Sequence, residues 1–180
     1  MNITFRTARA QDAEVLRAVK IAAFSDEFDQ FPYAEADDIF KTIVADSNAS
    51  EPKENMFSLD WHKLFCSFGE YSQVILDDDK IIGCVSALPG KHSSCDYEGY
   101  DVSADDVNVI LCIYVLPEYK NKGVGKTAMD YMEQLLPAKK WILDTPDVSG
   151  KNKRFYEKCG YKAGGKTGPN NLLRIFAKGF

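Results

Sequence analysis

Two glycines and three lysines lie within eight residues of the sequence, at positions 120–127. Gly123 and Gly125 allow backbone to approach a ligand closely, and Lys120, Lys122 and Lys126 add positive charge around them. A helix is predicted to start directly after Gly123, and the first N–H groups of a helix have no partners within it and favour negative charge. The pattern therefore predicts a binding site for a phosphate-bearing ligand, such as a pyrophosphate.

The turn is positioned by the segments on either side of it. Residues 107–116 are apolar at nearly every position, which is typical of a strand covered on both faces, and Pro117 ends that strand. On the other side, apolar residues recur at helical spacing. They are Val124, Ala128, Met129, Met132, Leu135 and Leu136. One face of this helix is predicted to pack on the sheet while its first turn stays open to a ligand.

A P-loop nucleotide hydrolase is one alternative for this turn. Gly125, Lys126 and Thr127 imitate the end of a P-loop, and residues 141–144 imitate the apolar strand that ends in a Walker B aspartate. A P-loop needs glycine five residues before Gly125, where this chain has Lys120. The sequence therefore disfavours this alternative.

A second family fits better. Residues 116–127 resemble the acyl-CoA-binding turn of the GNAT superfamily of N-acetyltransferases: Gln or Arg, two residues, Gly, one residue, then Gly or Ala. Lys120, Gly123 and Gly125 occupy those places, with lysine replacing Gln or Arg. Residues 141–145 resemble the family's next strand, and residues 152–161 resemble its helix-then-strand signature, usually ending Tyr-Glu-Lys-x-Gly-Phe. The resemblance covers residues 107–162 directly.

The resemblance implies acetyl-CoA as co-substrate and assigns residues to it. The pyrophosphate would lie on the backbone of the turn, formed by Lys120, Asn121, Lys122, Gly123, Val124, Gly125, Lys126 and Thr127. The acyl arm would bond the strand backbone at Ile113, Tyr114 and Val115, and Asn152 would bond the pantetheine amides unless it faces solvent. Tyr156 lies where the family places the tyrosine that protonates the departing sulfur, although it could simply pack its helix on the sheet.

The implied reaction is acetyl transfer to a primary amine by direct attack in a ternary complex. A CoA-binding sensor without turnover is the non-enzymatic alternative. Transfer needs a base for the acceptor ammonium, and Glu70, Asp106 and Asp144 are candidates among which the sequence does not choose. His62 and His92 are isolated and fit ordinary structural or surface roles better, and no metal site is predicted.

Composition sets limits on the class of protein. The chain has 180 residues, 45% hydrophobic and 27% charged, which predicts one N-acetyltransferase domain over residues 1–180. No leader and no long apolar run are present, so we expect a cytoplasmic protein without membrane spans. Five scattered cysteines without a CxxC pair indicate reduced, structural thiols. A net charge of −5 argues against nucleic acid as a partner.

The charge is unevenly distributed along the chain. Residues 25–55 hold nine acids and two lysines, a local charge of −7, and residues 91–106 hold five acids and Lys91, a local charge of −4. Such a field concentrates cations, so we expect a cationic amine acceptor, small molecule or peptide. The alternative is that the acids only keep the protein dispersed. The oligomeric state stays open, with a homodimer as one option.

The order of elements predicts an α/β fold with a mixed, mostly antiparallel sheet, and it matches the acetyltransferase fold, in which the strands at 107–116 and 141–145 splay apart. The other strands are predicted at 3–6, 71–76, 80–88, 161–165 and 172–178, and helices at 11–24, 31–44, 58–68 and 151–159. Ser58 is the expected cap of its helix. Residues 46–55 and 89–106 are predicted loops, and the second is a candidate lid over the acceptor site.

Overall fold

The computed structural model describes residues 1–28, 57–147, 149–168 and 171–180. In these residues the strands are β1 Ile3–Thr7, β2 Ser72–Asp77, β3 Lys80–Pro89, β4 Val107–Val115, β5 Lys140–Pro146, β6 Lys162–Thr167 and β7 Leu173–Lys178. The α-helices are α1 Ala13–Phe28, α2 Leu59–Cys66, α3 Val124–Leu135 and α4 Gly150–Lys158. The predicted helix at 31–44 and the predicted loop at 46–55 lie outside the described residues.

Local chemistry explains where several elements begin and end. The Ser58 side chain accepts a hydrogen bond from the Trp61 N–H and caps α2, as predicted. That helix ends earlier than predicted, at Cys66, because the Ser67 N–H bonds back to the carbonyls of Leu64 and Phe65. Between β2 and β3 the chain turns through Asp78, whose φ of 51° lies in the left-handed region that Asp tolerates.

The seven strands form one mixed sheet with the order β1-β2-β3-β4-β5-β7-β6. The pairings of β1 with β2, β5 with β7 and β6 with β7 are antiparallel, whereas β4 and β5 run parallel. A parallel pair needs a crossover connection, which α3 supplies. The mixed α/β sheet predicted from the sequence is confirmed.

The central strands β4 and β5 separate at their carboxyl ends. Their register contains three pairs, Val107 with Lys140, Asn108 with Trp141 and Val109 with Ile142. Beyond these pairs β4 runs on to Val115 and β5 to Pro146, without ladder pairing between them. The predicted splay of these strands is confirmed, and it leaves the β4 backbone beyond Val109 without ladder bonds to β5.

The chain divides into two compact units, the first formed by Met1–Cys84 with Tyr114–Val124 and the second by Val85–Ile113 with Gly125–Phe180. In the first unit, α1 and α2 contribute Leu16, Ala23 and Phe65 to a buried core. Lys20 is also fully buried there, with its Nζ 3.8 Å from the centroid of the Trp61 ring system. An ammonium over an aromatic face is attracted by the ring quadrupole, which offsets part of the cost of burying this charge.

In the second unit, both faces of the sheet are covered. One face carries a buried cluster that includes residues from β4, β5, β7 and the loop at 89–106. The cluster is formed by Tyr97, Val107, Val109, Ile142, Ile175 and Ala177. On the other face, Tyr156 of α4 packs against Phe176 of β7, with ring centroids 5.4 Å apart. The loop at 89–106 is largely irregular as predicted, with one 3-10 turn at Gly90–His92 and a bridge between Tyr97 and Tyr100.

Among the helices in the described residues, none is both long and apolar enough to cross a membrane. In the same part of the chain, His, Cys, Asp and Glu side chains form no group of three that could hold a metal ion. All five cysteines lie in described residues, and none of them forms a disulfide.

His62 gives the first unit a pH-dependent stability. Its side chain is fully buried, Nδ1 donates to the Ser58 carbonyl oxygen at 2.7 Å, and Nε2 has no hydrogen-bond partner within the described residues. The pKa of His62 is lowered from 6.5 to about 4, mainly by burial and also by the nearby charges of Lys20 and Arg17, against the opposing Ser58 bond. As the pH falls below 6.5, His62 therefore becomes protonated in the unfolded chain, whereas in the folded chain it stays neutral until about pH 4.

We expect this histidine to remove about 2 to 3 kcal/mol from the free energy of unfolding between pH 7 and pH 4.5. Urea denaturation at both pH values measures the loss. His62→Phe should lose less on acidification because the buried titrating group is gone. His92→Gln, at an exposed position, should behave as the wild type does. An equal loss in wild type and His62→Phe would contradict the prediction.

Candidate active site

The glycine turn adopts a conformation that its sequence requires. After a 3-10 turn at Pro117–Tyr119, Asn121 and Gly123 have φ values of 61° and 86°, both in the left-handed region. Glycine enters that region without strain, and a Cβ on Gly123 would meet no atom within 4 Å. Helix α3 begins at the next residue, Val124. The turn therefore presents open space at the N-terminal end of a helix, as an anion site requires.

Gly125 has a different structural reason to be glycine. A Cβ at this position would lie 3.0 Å from Cε2 and 3.2 Å from Cζ of Phe155 in α4. The absent side chain lets the first turn of α3 pack closely on that ring. The Phe155 ring in turn lies 5.0 Å from the Tyr156 ring, centroid to centroid. Gly125 thus helps to set the position of α4, a role that the sequence did not reveal.

The three lysines of the turn contact protein groups. Lys120 Nζ donates to the Ala23 carbonyl oxygen in α1 at 2.5 Å, and Lys126 Nζ lies 2.7 Å from both carboxylate oxygens of Asp130. Lys122 Nζ lies 5.8 Å from the centroid of the Tyr119 ring. The hydrogen bond that Lys126 donates to Asp130 raises the pKa of Lys126, so this lysine stays charged while the carboxylate partly neutralises it. The contacts of these lysines within the protein agree with the prediction that the pyrophosphate lies on the backbone of the turn.

The remaining predicted residues of the turn and strand fall into two groups by exposure. The exposed residues are Asn121, Lys122, Gly123, Lys126 and Thr127, whereas Val124, Tyr114 and Val115 are buried and Ile113 is half-buried. The Tyr114 hydroxyl donates to the Leu16 carbonyl oxygen at 3.4 Å. The side chains at these strand positions thus pack in the interior, so a ligand would bind the N–H and C=O groups of the β4 backbone rather than these side chains.

Helix α4 positions Asn152 and Tyr156. Its start is fixed by Ser149, whose hydroxyl accepts from the Asn152 N–H at 3.2 Å. Asn152 is half-buried and its Nδ2 donates to the Thr145 hydroxyl at 3.0 Å, which ties the helix to the splayed end of β5. Tyr156 is 7% exposed, and its ring contacts Phe155, Tyr161 and Phe176. Asn152 and Tyr156 therefore lie one turn apart on α4, beside β5, and both belong to the second unit.

The sequence matches the profile of the acetyltransferase (GNAT) family over residues 31–161. The chain belongs to this family. The family match excludes the P-loop nucleotide hydrolase alternative, and it confirms the resemblance found in residues 107–162. This GNAT chain is an acyl-CoA N-acetyltransferase by family.

Solved structures share the fold of this acetyltransferase. The PaiA N-acetyltransferase from Thermoplasma acidophilum, solved with coenzyme A, superimposes with a TM-score of 0.73 at 18% identity, over 100% of both chains. A GNAT acetyltransferase from Streptococcus agalactiae gives 0.69 at 10% identity, over 98% of this chain and 94% of that one. Diaminobutyrate acetyltransferase EctA from Paenibacillus lautus, solved with L-2,4-diaminobutyric acid and coenzyme A, gives 0.60 at 11% identity, over 99% and 95%. No curated protein matches the sequence significantly.

The three carboxylates that the sequence offered as candidate general bases lie in different surroundings in the structure. In this acetyltransferase Glu70 is exposed in a 3-10 turn, and Asp106 precedes β4 with its carboxylate 4.0 Å from Lys139 Nζ. Asp144 lies in β5 two residues beyond the last pair with β4, and it is half-buried. Burial raises the pKa of Asp144, while a hydrogen bond with the Tyr97 side chain partly opposes the shift. An acidic residue inside an otherwise apolar strand was the one sequence signal that pointed to it.

Proposed function

We propose that this protein transfers the acetyl group of acetyl-CoA to a primary amine by direct attack in a ternary complex, without an acyl-enzyme. The observation that carries the proposal is the left-handed, open Gly123 at the start of α3, which follows a strand that splays from its parallel neighbour. We further propose that residues 1–180 act as one domain in the cytoplasm.

The residues present fit the cofactor. Anions are stabilised at a helix N-terminus, and the side of Gly123 that a Cβ would occupy is free of protein atoms. We assign the pyrophosphate to the backbone of residues 120–127, and the acyl arm to the β4 backbone at Ile113, Tyr114 and Val115. Acetyl-CoA supplies the thioester that the amine attacks.

Two residues of α4 are assigned to the reaction. Asn152 already donates to Thr145, so its carbonyl oxygen is the group that we assign to a pantetheine amide. The Tyr156 hydroxyl donates a proton to the departing sulfur, because a thiolate leaves more readily when it is protonated. Burial of the ring between Phe155 and Phe176 holds that hydroxyl in one orientation.

Release of free CoA from acetyl-CoA, measured across a panel of primary amines, tests this function. We expect release that depends on both the protein and one class of amine, with the acetylated amine identified by mass spectrometry. Calorimetric titration with acetyl-CoA runs in parallel. Binding without release across the panel would favour the CoA-binding sensor, and absence of binding would overturn the proposal.

We propose a cationic amine as the acceptor. The 91–106 loop carries a local charge of −4, and Asp96 and Glu98 are exposed on it, while Asp105 is paired with Lys91 at 2.9 Å. The structural neighbour EctA was solved with a diamino acid. The acidic stretch at 25–55 falls almost wholly outside the described residues, so the loop at 91–106 supports this part of the proposal.

Salt should weaken this steering. With acetyl-CoA saturating, we expect kcat/KM for the amine to fall about 3- to 10-fold between low salt and about 0.5 M, because the Debye length shrinks to about 4 Å. An uncharged amine of similar size is the control and should respond little. The double variant Asp96→Asn, Glu98→Gln should show a shallower salt dependence for the cationic amine. A kcat/KM for the cationic amine that does not change with salt concentration would contradict electrostatic steering.

A further inference from the structure

Asp144 is placed where the two central strands part. The last parallel pair joins Val109 to Ile142, and Asp144 follows Ile142 by two residues, so the two side chains share one face of β5. Its antiparallel partner on β7 is Ile175, which lies on that same face. A carboxylate at the edge of a splay, directly after the apolar run Trp141–Leu143, is costly to bury unless it is paired or has a function.

Tyr97 is the side chain that pairs with it. Tyr97 comes from the 93–106 loop, is 3% exposed, and packs with Ile142 and Ile175. The Tyr97 hydroxyl lies close enough to the Asp144 carboxylate to lower its pKa, against the effect of burial. Asp144 itself is only half-buried, whereas the tyrosine beside it is buried.

Two further polar side chains lie near this pair along the chain. Cys95 faces Tyr97 from the loop, and on β7 the neighbouring Arg174 is held by Asp147 at 2.7 Å. Burial raises the pKa of Asp144, and burial with the nearby carboxylate raises the pKa of Tyr97, so the tyrosine stays a proton donor. A carboxylate with a raised pKa accepts protons more effectively near neutral pH than an ordinary one.

The opposite face of the same strand carries the proposed acid. Leu143 pairs with Phe176, and the Phe176 ring packs on Tyr156. Directly paired residues share a face of the sheet, so Tyr156 lies on the face that Asp144 does not occupy. The two groups can therefore act on one reacting centre from different sides without sharing a proton directly.

We propose that Asp144 is the general base that removes the proton from the acceptor ammonium, and that Tyr97 positions its carboxylate. This assignment rests on the function proposed above. In the step, the ammonium gives one proton to Asp144, and the neutral nitrogen forms a bond to the thioester carbonyl carbon. The carbon–sulfur bond then breaks and its electron pair stays on sulfur. Sulfur takes a proton from Tyr156, which recovers one through water from the nitrogen. Asp144 returns its proton to solvent.

Asp144→Asn tests the base because it keeps the shape and the ability to accept from Tyr97. We expect kcat/KM for the amine at pH 7 to fall by about 10²-fold or more, with the loss shrinking as the pH rises toward the amine pKa, where solvent deprotonates the acceptor. An O-alkylhydroxylamine analogue of the best amine, which is neutral at pH 7, should show almost no difference between the two proteins. A loss that is equal at every pH and for both acceptors would identify a structural defect and overturn the assignment.

Tyr97→Phe tests the positioning role. The variant keeps the packing of the ring and removes the hydrogen bond that lowers the pKa of Asp144. The acidic limb of the kcat/KM profile should therefore move to higher pH. Titration of the Asp144 carboxyl carbon by NMR in the free protein gives a readout without any substrate. We expect a raised pKa in the wild type and a higher one in Tyr97→Phe, and an ordinary pKa in both would overturn the proposal.

Asp79→Asn is the control, since Asp79 is exposed in the turn between β2 and β3 and belongs neither to the acidic loop nor to the central strands. It should retain the wild-type rate and pH profile. If the wild type binds acetyl-CoA and releases CoA while Asp144→Asn works equally well at pH 7, the base assignment alone fails. If the wild type releases no CoA with any amine, the proposed function fails, and the carboxyl titration still decides whether Asp144 has the properties of a base.

Discussion

Tyr156→Phe is expected to lower kcat by about 10²-fold or more while KM for acetyl-CoA changes little. A phenol that protonates the leaving sulfur acts in the transition state, so its loss should appear in kcat rather than in ground-state binding. The substitution removes one oxygen and keeps the ring that packs on Phe155 and Phe176 at centroid distances of 5.0 and 5.4 Å. The fold should therefore survive the change.

Tyr161→Phe provides the matched control for this prediction. Tyr161 is also buried beside Tyr156, and its hydroxyl donates to Glu133 at 3.1 Å. Removing that hydroxyl should alter the melting temperature more than kcat. Steady-state kinetics with both substrates varied, together with thermal melts of both variants, separates catalysis from packing. A wild-type kcat in Tyr156→Phe would leave Tyr156 with a packing role.

Local features of the sequence predicted the elements well. Most strand and helix bounds lie within two residues of the predicted ones, because Pro117, Ser58 and the glycine turn act on their immediate neighbours. The end of α1 differs most, since the helix was predicted to end at residue 24 and runs to Phe28. Its start shifts from residue 11 to Ala13, because Ala10–Asp12 form a 3-10 turn before the helix. The Asp12 carboxylate accepts from the Arg9 N–H and from Arg6, which explains why the chain tightens there.

The sequence could not predict contacts between side chains that are distant along the chain. The Tyr97 and Asp144 pair depends on the register of β5 with β7 and on the path of an irregular loop. The contact between Gly125 and Phe155 depends on how closely two helices approach. Periodicity and turn signals determine neither of these contacts. The glycine pattern was therefore enough to predict a cofactor site, whereas our choice among three carboxylates required the fold.

The contact with Phe155 changes what a substitution at Gly125 is expected to do. Gly125→Val should weaken acetyl-CoA binding by about 10- to 100-fold, because overpacking of this kind costs about 1 to 3 kcal/mol and each 1.4 kcal/mol is tenfold. The Cβ would meet the Phe155 ring at 3.0 Å, so either the first turn of α3 or α4 must shift. Both movements disturb the backbone N–H groups that we assign to the pyrophosphate. Lys120→Ala should cost only about 1 kcal/mol, as the loss of one partly exposed charge contact.

A second substitution separates this indirect route from a direct clash with the ligand. Phe155→Ala in the Gly125→Val background removes the ring atoms that the new side chain meets, so acetyl-CoA affinity should recover by about tenfold relative to Gly125→Val alone. A direct clash at the pyrophosphate would leave the double variant as weak as the single one. Isothermal titration calorimetry on the wild type, both single variants and the double variant gives the coupling free energy. Unchanged affinity in Gly125→Val would show that this glycine serves neither the ligand nor the packing beneath it.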